Sequence, residues 1–224
     1  MFSIELFLFL KAALVGLSIA APVGPISLLC IQRTLISGPR LGFISGLGAA
    51  SADAVYGAIG AFGLTAVTQL FIEATTPLTL FGASFLAWLG FKMILSQPAG
   101  DELGSIIASD GADSIKGGDG IKAFASMFAL TLSSPVTILS FVAVFSAING
   151  SAELTEQDHS SAFVMVLGVF IGSACWWLML AAGVSCIRHK LGPQTLLWVS
   201  RIAGGVLLSV ALYQLASLIA EFLS

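Results

Sequence analysis

Asp53 is an acidic residue deep inside a long apolar stretch, residues 41–72. A charge at the centre of a bilayer costs about 2.5–3.5 kcal/mol even on a lenient insertion scale. Burial disfavours the charged form of a carboxyl group, which suits such a group to proton uptake and release. Tyr56 follows at i+3, where its hydroxyl could hydrogen-bond to Asp53 or to a solute. We therefore predict a proton- and solute-binding position at Asp53 and Tyr56; a structural acid satisfied by a serine or by backbone is the alternative.

Two proline-containing sequences interrupt other apolar runs. Pro22 and Pro25 lie inside the first run, residues 4–31, and Pro135 follows Ser134 inside the fourth run. A proline in a helix interior removes a hydrogen bond and costs roughly 3 kcal/mol. Broken backbone in a membrane is tolerated where protein or a polar cavity satisfies the freed groups. We therefore predict that the breaks line a solute site, with ordinary proline kinks as the alternative; the residues are Pro22, Gly24, Pro25, Ser134 and Pro135.

The framework that positions these residues is predicted to be an all-α integral membrane protein. The chain has 224 residues, of which 57% are hydrophobic and only 9% are charged, whereas a soluble domain has about 25% charged residues. A span needs about 20 mostly apolar residues. Six runs qualify: Ile4–Ile31, Leu41–Ile72, Leu78–Leu95, Ala123–Ile148, Ala162–Ile187 and Leu196–Phe222.

The basic residues predict the direction of these spans. Eight of the nine Lys and Arg residues flank the first, third and fifth loops, and the second and fourth loops hold no Lys or Arg. The positive-inside rule assigns the basic loops to the cytoplasm, so both chain ends are predicted to face the periplasm. The stretch 96–121 is rich in Gly, Asp and Ser and is predicted to be a cytoplasmic linker between residues 1–95 and 122–224.

Three spans precede the linker, so a three-span unit used twice would insert its second copy upside down. Aligning Pro22 with Pro135 supports such a repeat. At 1.5 Å per residue, Pro22 lies about 16 Å from Arg33 and Pro135 about 20 Å from Lys122. Both breaks therefore come near the bilayer midplane from opposite sides, as in transporters built from inverted repeats. We predict two inverted three-helix repeats with broken first and fourth helices.

The remaining reactive residues indicate no catalytic or metal chemistry. Cys30, Cys175 and Cys186 form no C-x-x-C pair, and His159 and His189 stand alone. A membrane-embedded enzyme needs a nucleophile with a base, or a metal pair, near one face. We therefore expect no catalytic residue, no metal site and no cofactor.

Residues 20–64, AAPVGPISLLCIQRTLISGPRLGFISGLGAASADAVYGAIGAFGL, resemble the LysE/RhtB family of small-solute exporters. The family has a Pro-Gly-Pro-type motif in its first span, here Pro22–Pro25. A basic GxRxG loop follows, here Gly38–Gly42, and then a glycine-rich second span that ends in an acid, here Gly46–Asp53. The fourth span of the family usually carries Asn-Pro, whereas Ser134 replaces that Asn here, and Val136 stands where many members have a basic residue.

The resemblance implies export of amino acids or similar metabolites across a bacterial inner membrane, in exchange for protons or driven by the membrane potential. Its implied partners are a small-molecule amino acid and membrane lipid, with no nucleic acid. A cation or heavy-metal exporter of the same superfamily is the alternative, and a membrane-embedded enzyme is a more distant one. The small-residue face of the second span allows close helix approach, either within the monomer or at the seam of a homodimer.

Overall fold

The computed structural model describes residues 2–22, 24–62, 73–95, 117–134, 137–141, 159–188 and 190–223. Within these ranges all regular structure is helical. The long helices are α1 (Phe2–Ala20), α2 (Pro25–Ser37), α3 (Pro39–Ala61), α4 (Thr75–Leu95), α5 (Gly117–Leu132), α6 (His159–Arg188) and α7 (Pro193–Leu223).

The predicted break in the first apolar run is confirmed. Helix α1 ends at Ala20, α2 begins at Pro25, and the pair is bent by 82°. Pro25 lies in the first turn of α2, where its missing N–H would have had no helical partner. Ser27 Oγ donates a hydrogen bond to the Pro22 carbonyl at 3.3 Å. The side chain of Ser27 thus connects the two sides of the break.

The fourth apolar run is also divided. Helix α5 begins at Gly117, inside the stretch predicted to be a linker, and ends at Leu132; residues 137–141 are again helical. Asp119 in the first turn of α5 suits the positive end of the helix dipole. Pro135 lies outside the described residues.

The helical residues after the two breaks begin with the same kind of backbone hydrogen bond. The Leu28 N–H donates to the Gly24 carbonyl at 3.0 Å, and the Ile138 N–H donates to the Ser134 carbonyl at 3.1 Å. Gly24 and Ser134 therefore occupy the same position at the start of their helices, and a proline follows each of them in the sequence.

In the part of the chain that the structure describes, three helices are each long and apolar enough to cross a membrane: Thr75–Leu95, Ser160–Arg188 and Gln194–Ala220. The bent pair of α1 and α2 makes a fourth if it is counted as one span. Helix α3 has 23 residues, but it contains Arg40, Asp53 and many small residues, which lower its hydropathy. The end predicted for the second span, residues 63–72, lies outside the described residues.

Helix α3 occupies the centre of the described structure. It packs against α2, α5 and α6, while α1 packs on α6 and α4 on α7. Among its large apolar side chains only Val55 is exposed. The outer helices α1, α4, α6 and α7 each expose several large apolar side chains. A surface of that kind is suited to lipid.

Glycines let these helices approach closely. A Cβ on Gly90 would lie 2.7 Å from the Gly204 carbonyl oxygen, and one on Gly204 would lie 2.8 Å from the Gly90 carbonyl oxygen. Helices α4 and α7 therefore cross at a point where each helix has a glycine. A Cβ on Gly172 of α6 would overlap the Ala13 carbonyl of α1. Small residues at such crossings are the usual means of packing helices in membranes.

A single residue connects α2 to α3. Gly38 has φ of 93°, a left-handed conformation that favours glycine. Arg188 at the end of α6 donates from Nε to the Leu35 carbonyl at 3.0 Å and from Nη2 to the Ile36 carbonyl at 3.4 Å. These bonds satisfy carbonyls that the end of α2 leaves without helical partners.

Candidate functional site

A cavity of about 340 Å³ lies at the break between α1 and α2. Its lining comes from all seven long helices and from residues 137–140. The structure brings together five of the seven residues that the sequence indicated for a solute site: Pro22, Gly24, Pro25, Asp53 and Ser134 all line this cavity.

The polar part of the lining consists mainly of hydroxyl groups. The lining residues that the structure describes include no Lys, Arg or His, and Asp53 is the charged member. The wall can therefore donate and accept hydrogen bonds at many points, but it offers a formal charge at one. The uncharged polar members are Ser27, Thr131, Ser133, Ser134, Thr137, Ser140 and Gln214.

Asp53 is held by one neighbour from the other half of the chain. Its side chain is only 3% exposed, and Ser173 Oγ of α6 donates to its Oδ2 at 2.6 Å. Among the residues that the structure describes, Oδ1 has no hydrogen-bond partner. One oxygen is thus oriented by the protein, and the other can bind a proton or a solute.

Tyr56 and Pro135 are the two indicated residues that the structure does not place in the lining. The Tyr56 hydroxyl donates to the Leu132 carbonyl at 2.6 Å, and its ring stacks on Phe141 with the centroids 5.5 Å apart. Tyr56 therefore contacts both sides of the break in the fourth run. Pro135 is outside the described ranges.

Three buried residues at this site were not predicted from the sequence. Ser173 is needed to see how Asp53 is held, yet it is one serine among many in apolar runs. Thr131 and Trp177 line the cavity, and the Oγ1 of one and the Nε1 of the other are buried without a hydrogen-bond partner among the described residues. Only the hydroxyl-rich sequence TLSSPVT around the fourth break could have indicated Thr131.

Arg33 lies on α2 beyond the cavity, toward the predicted cytoplasmic side. Its Nη1 donates to Ser45 Oγ and to the Ala123 carbonyl, both at 3.0 Å, and its Nη2 donates to Ser126 Oγ at 2.8 Å. The guanidinium therefore joins α2 to α3 and α5.

Comparison with known proteins agrees with this arrangement. A family profile described as LysE type translocator matches residues 17–217. The chain belongs to the LysE type translocator family. The family match covers both breaks, Asp53 and every lining residue of the cavity.

Curated relatives of this LysE type translocator match over most of their length. YcgF of Bacillus subtilis strain 168, whose name marks it as a candidate amino acid efflux protein, is 31% identical over 210 residues, covering 92% of this chain and 94% of YcgF. The chemotactic transduction protein ChpE of Pseudomonas aeruginosa PAO1 is 31% identical over 205 residues, covering 91% and 94%. The Escherichia coli K12 membrane protein YahN is 26% identical over 181 residues, covering 79% and 75%. No solved structure gives a significant match.

The family identifies the chain as a multi-pass membrane translocator, in agreement with its long apolar helices.

Proposed function

We propose that this translocator exports amino acids or similar small metabolites across the bacterial inner membrane as a secondary transporter coupled to protons. One observation carries the proposal: among the lining residues that the structure describes, the charged group is the buried carboxyl of Asp53, at the level where the first helix breaks. YcgF supports amino acids as the solute class, because its name describes amino acid efflux.

Asp53 serves two purposes in this scheme. In the ionised form, its Oδ1 binds the ammonium group of the solute, while Ser173 holds Oδ2. Protonation from the outer side then removes the negative charge and releases the solute. Because the Asp53 carboxyl group is buried, water stabilises its charge only weakly. A proton and the ammonium group of a solute therefore compete directly for it. Competition at one carboxyl couples the two flows.

The packing supports an inverted repeat of three spans. If the two halves of the chain on either side of the linker are repeats, α1 is equivalent to α5, α3 to α6, and α4 to α7. The α1–α6 contact then corresponds to the α3–α5 contact, and both occur at a glycine against a carbonyl: Gly168 against Phe9 and Gly48 against Phe124. The α3–α6 and α4–α7 contacts each correspond to themselves. Such a repeat sets its site at the interface of the halves.

Transport by purified protein in proteoliposomes tests the proposal. Labelled amino acids are offered with and without a pH gradient, and Asp53→Asn and Asp53→Glu are compared with the unaltered chain. We expect Asp53→Asn to insert and fold normally but to lose proton-driven transport, while exchange without net proton movement survives. Asp53→Glu should retain partial activity.

Near-normal transport by Asp53→Asn down a pH gradient would show that Asp53 is structural, because Asn can make similar hydrogen bonds. Movement of a divalent cation, with no movement of any amino acid, would favour the cation-exporter alternative.

A further inference from the structure

Two arginines fasten the end of α2 that points away from the cavity. The half-buried Arg33 donates hydrogen bonds to Ser45 of α3 and to Ala123 and Ser126 of α5. Arg188 of α6 donates to two carbonyl groups in the last turn of α2. The two guanidinium groups therefore hold this end of α2 against three neighbouring helices.

The contacts of Arg33 lie beyond the cavity on all three of the helices that they join. Ile26 of α2, Asp53 of α3 and Leu130 of α5 line the cavity. On each helix, Arg33 or the residue that accepts its hydrogen bond lies about two helical turns farther toward the same face of the membrane. The Arg33 side chain therefore joins α2, α3 and α5 between the cavity and that face.

The partners of Arg33 suit a contact that forms and breaks. Its described hydrogen bonds go to two hydroxyl groups and one carbonyl group, all of them neutral. A guanidinium paired with a carboxylate is held more strongly, and breaking a buried pair leaves an uncompensated charge behind. Neutral acceptors avoid that cost. Once released, the long arginine side chain can extend its charged head group into water.

The opposite end of α2 allows the helix to move. Its helical hydrogen bonds begin at the Gly24 carbonyl, so they do not continue those of α1, and the two helices are bent by 82°. Hinges are a few residues at the ends of elements that absorb changes in backbone angle. Helix α7 also packs on α2. A tilt of α2 about the break would therefore move one wall of the cavity together with the far end of the helix.

We propose that Arg33 is a gate residue, which closes the cavity toward the face of the membrane on which the first loop lies. Its bonds to Ser45, Ala123 and Ser126 must break before a solute can pass between the cavity and that face. The inference goes beyond the proposed function, because it concerns access to the cavity for any solute. The structure is then a state closed on this side, which the basic loops predict to be cytoplasmic.

Thiol labelling of the full chain in membrane vesicles tests the gate. Thr137→Cys places a thiol in the cavity lining, in a background where the native cysteines are replaced by Ala. A small thiol reagent that does not cross the membrane is applied to vesicles of each orientation. Gln194→Cys, at an exposed position in the first turn of α7, identifies in separate vesicles the face to which Arg33 is nearer.

We expect the Thr137→Cys thiol to react slowly from the Arg33 face when Arg33 is present. Arg33→Gln should raise that rate by about tenfold, because each lost hydrogen bond shifts the balance of closed and open states severalfold. The rate from the opposite face should stay the same. Ser45→Ala combined with Ser126→Ala keeps the charge and should act in the same direction by a smaller factor. Arg201→Gln, at an exposed position of α7, is the matched control and should have no effect.

An unchanged rate from the Arg33 face would overturn the inference. An equal increase from both faces would also overturn it, because that result would mean a general loosening of the helix packing. The same conclusion would follow from fast labelling from the Arg33 face with Arg33 in place, since the cavity would then already be open there. If Arg33→Gln does not fold, as judged by its melting temperature, the double serine variant decides. Labelling needs no amino acid, so these outcomes are distinct from failure of the proposed function, in which no amino acid moves.

Discussion

Arg33 is a charged residue whose described hydrogen bonds all go to neutral acceptors. Its three bonds reach two hydroxyls and one carbonyl on two neighbouring helices. A planar guanidinium can satisfy acceptors in several directions at once, whereas an ammonium is a compact point charge on a flexible stem. The side chain type is therefore as important here as the charge.

We expect Arg33→Lys to weaken the association of α2 with α3 and α5. Loss of two hydrogen bonds would lower the free energy of unfolding by about 2 kcal/mol, since each contributes about 1 kcal/mol net. The melting temperature of the purified protein in detergent measures the loss. Arg201→Lys, at an exposed position of α7, is the control. An unchanged melting temperature for Arg33→Lys would show that one bond is sufficient.

At the residue scale, the sequence predicted what depends on local chemistry. The depth of Asp53 in an apolar run and the backbone effect of Pro22 and Pro25 follow from the chain alone, and these three residues line one cavity in the structure. The Ser173 contact joins residues 120 positions apart. No local pattern distinguishes that serine from the others, so its role required the fold.

At the element scale, the packing of α1 on α6 depends on glycines. Gly168 and Gly172 are one turn apart on α6, and each brings its backbone against α1. Gly16 makes the reciprocal approach from α1 to the Val169 carbonyl. The sequence predicts a small-residue face on the second span, and the fifth span, which lies in α6, contains an equivalent face. Glycine spacing gave little guidance because membrane helices are rich in glycine in general.

Gly172→Ala should separate α1 from α6. The added methyl group would overlap backbone atoms of Ala13, which cannot rotate away. Overpacking of this kind costs about 1–3 kcal/mol, and the melting temperature should fall by several degrees. Gly183→Ala is the matched control on the same helix, because its Cβ would meet no atom within 4 Å. Equal melting temperatures for the two variants would contradict the close packing.

At the scale of the whole molecule, the charge distribution predicts the orientation in the membrane. The basic residues flank the first, third and fifth loops, so the 96–121 linker is expected in the cytoplasm and the fourth loop in the periplasm. The contacts between helices do not depend on that direction. Orientation is therefore an independent prediction from the sequence.

Cysteine labelling of intact cells checks the orientation. Ser151→Cys should react with a reagent that does not cross the membrane, and Ser109→Cys should react only after the cells are opened. The experiment uses a background in which the exposed Cys175 and Cys186 are replaced by Ala. The reverse labelling pattern would mean that the chain is inserted the other way.

The crossing of Gly90 with Gly204 has a mechanical consequence. Helices α4 and α7 pack mainly on each other and only slightly on the rest of the described structure, so they form a two-helix arm beside a body of the other five long helices, α1, α2, α3, α5 and α6. Both members of the arm contribute to the wall of the cavity, through Gly82 and Leu86 of α4 and Val210 and Gln214 of α7. Movement of α4 and α7 together as a rigid unit would open or close the cavity without separating Asp53 from Ser173. In the proposed transport cycle, the movement of α4 and α7 and the binding of a proton at Asp53 would therefore take place in separate parts of the chain.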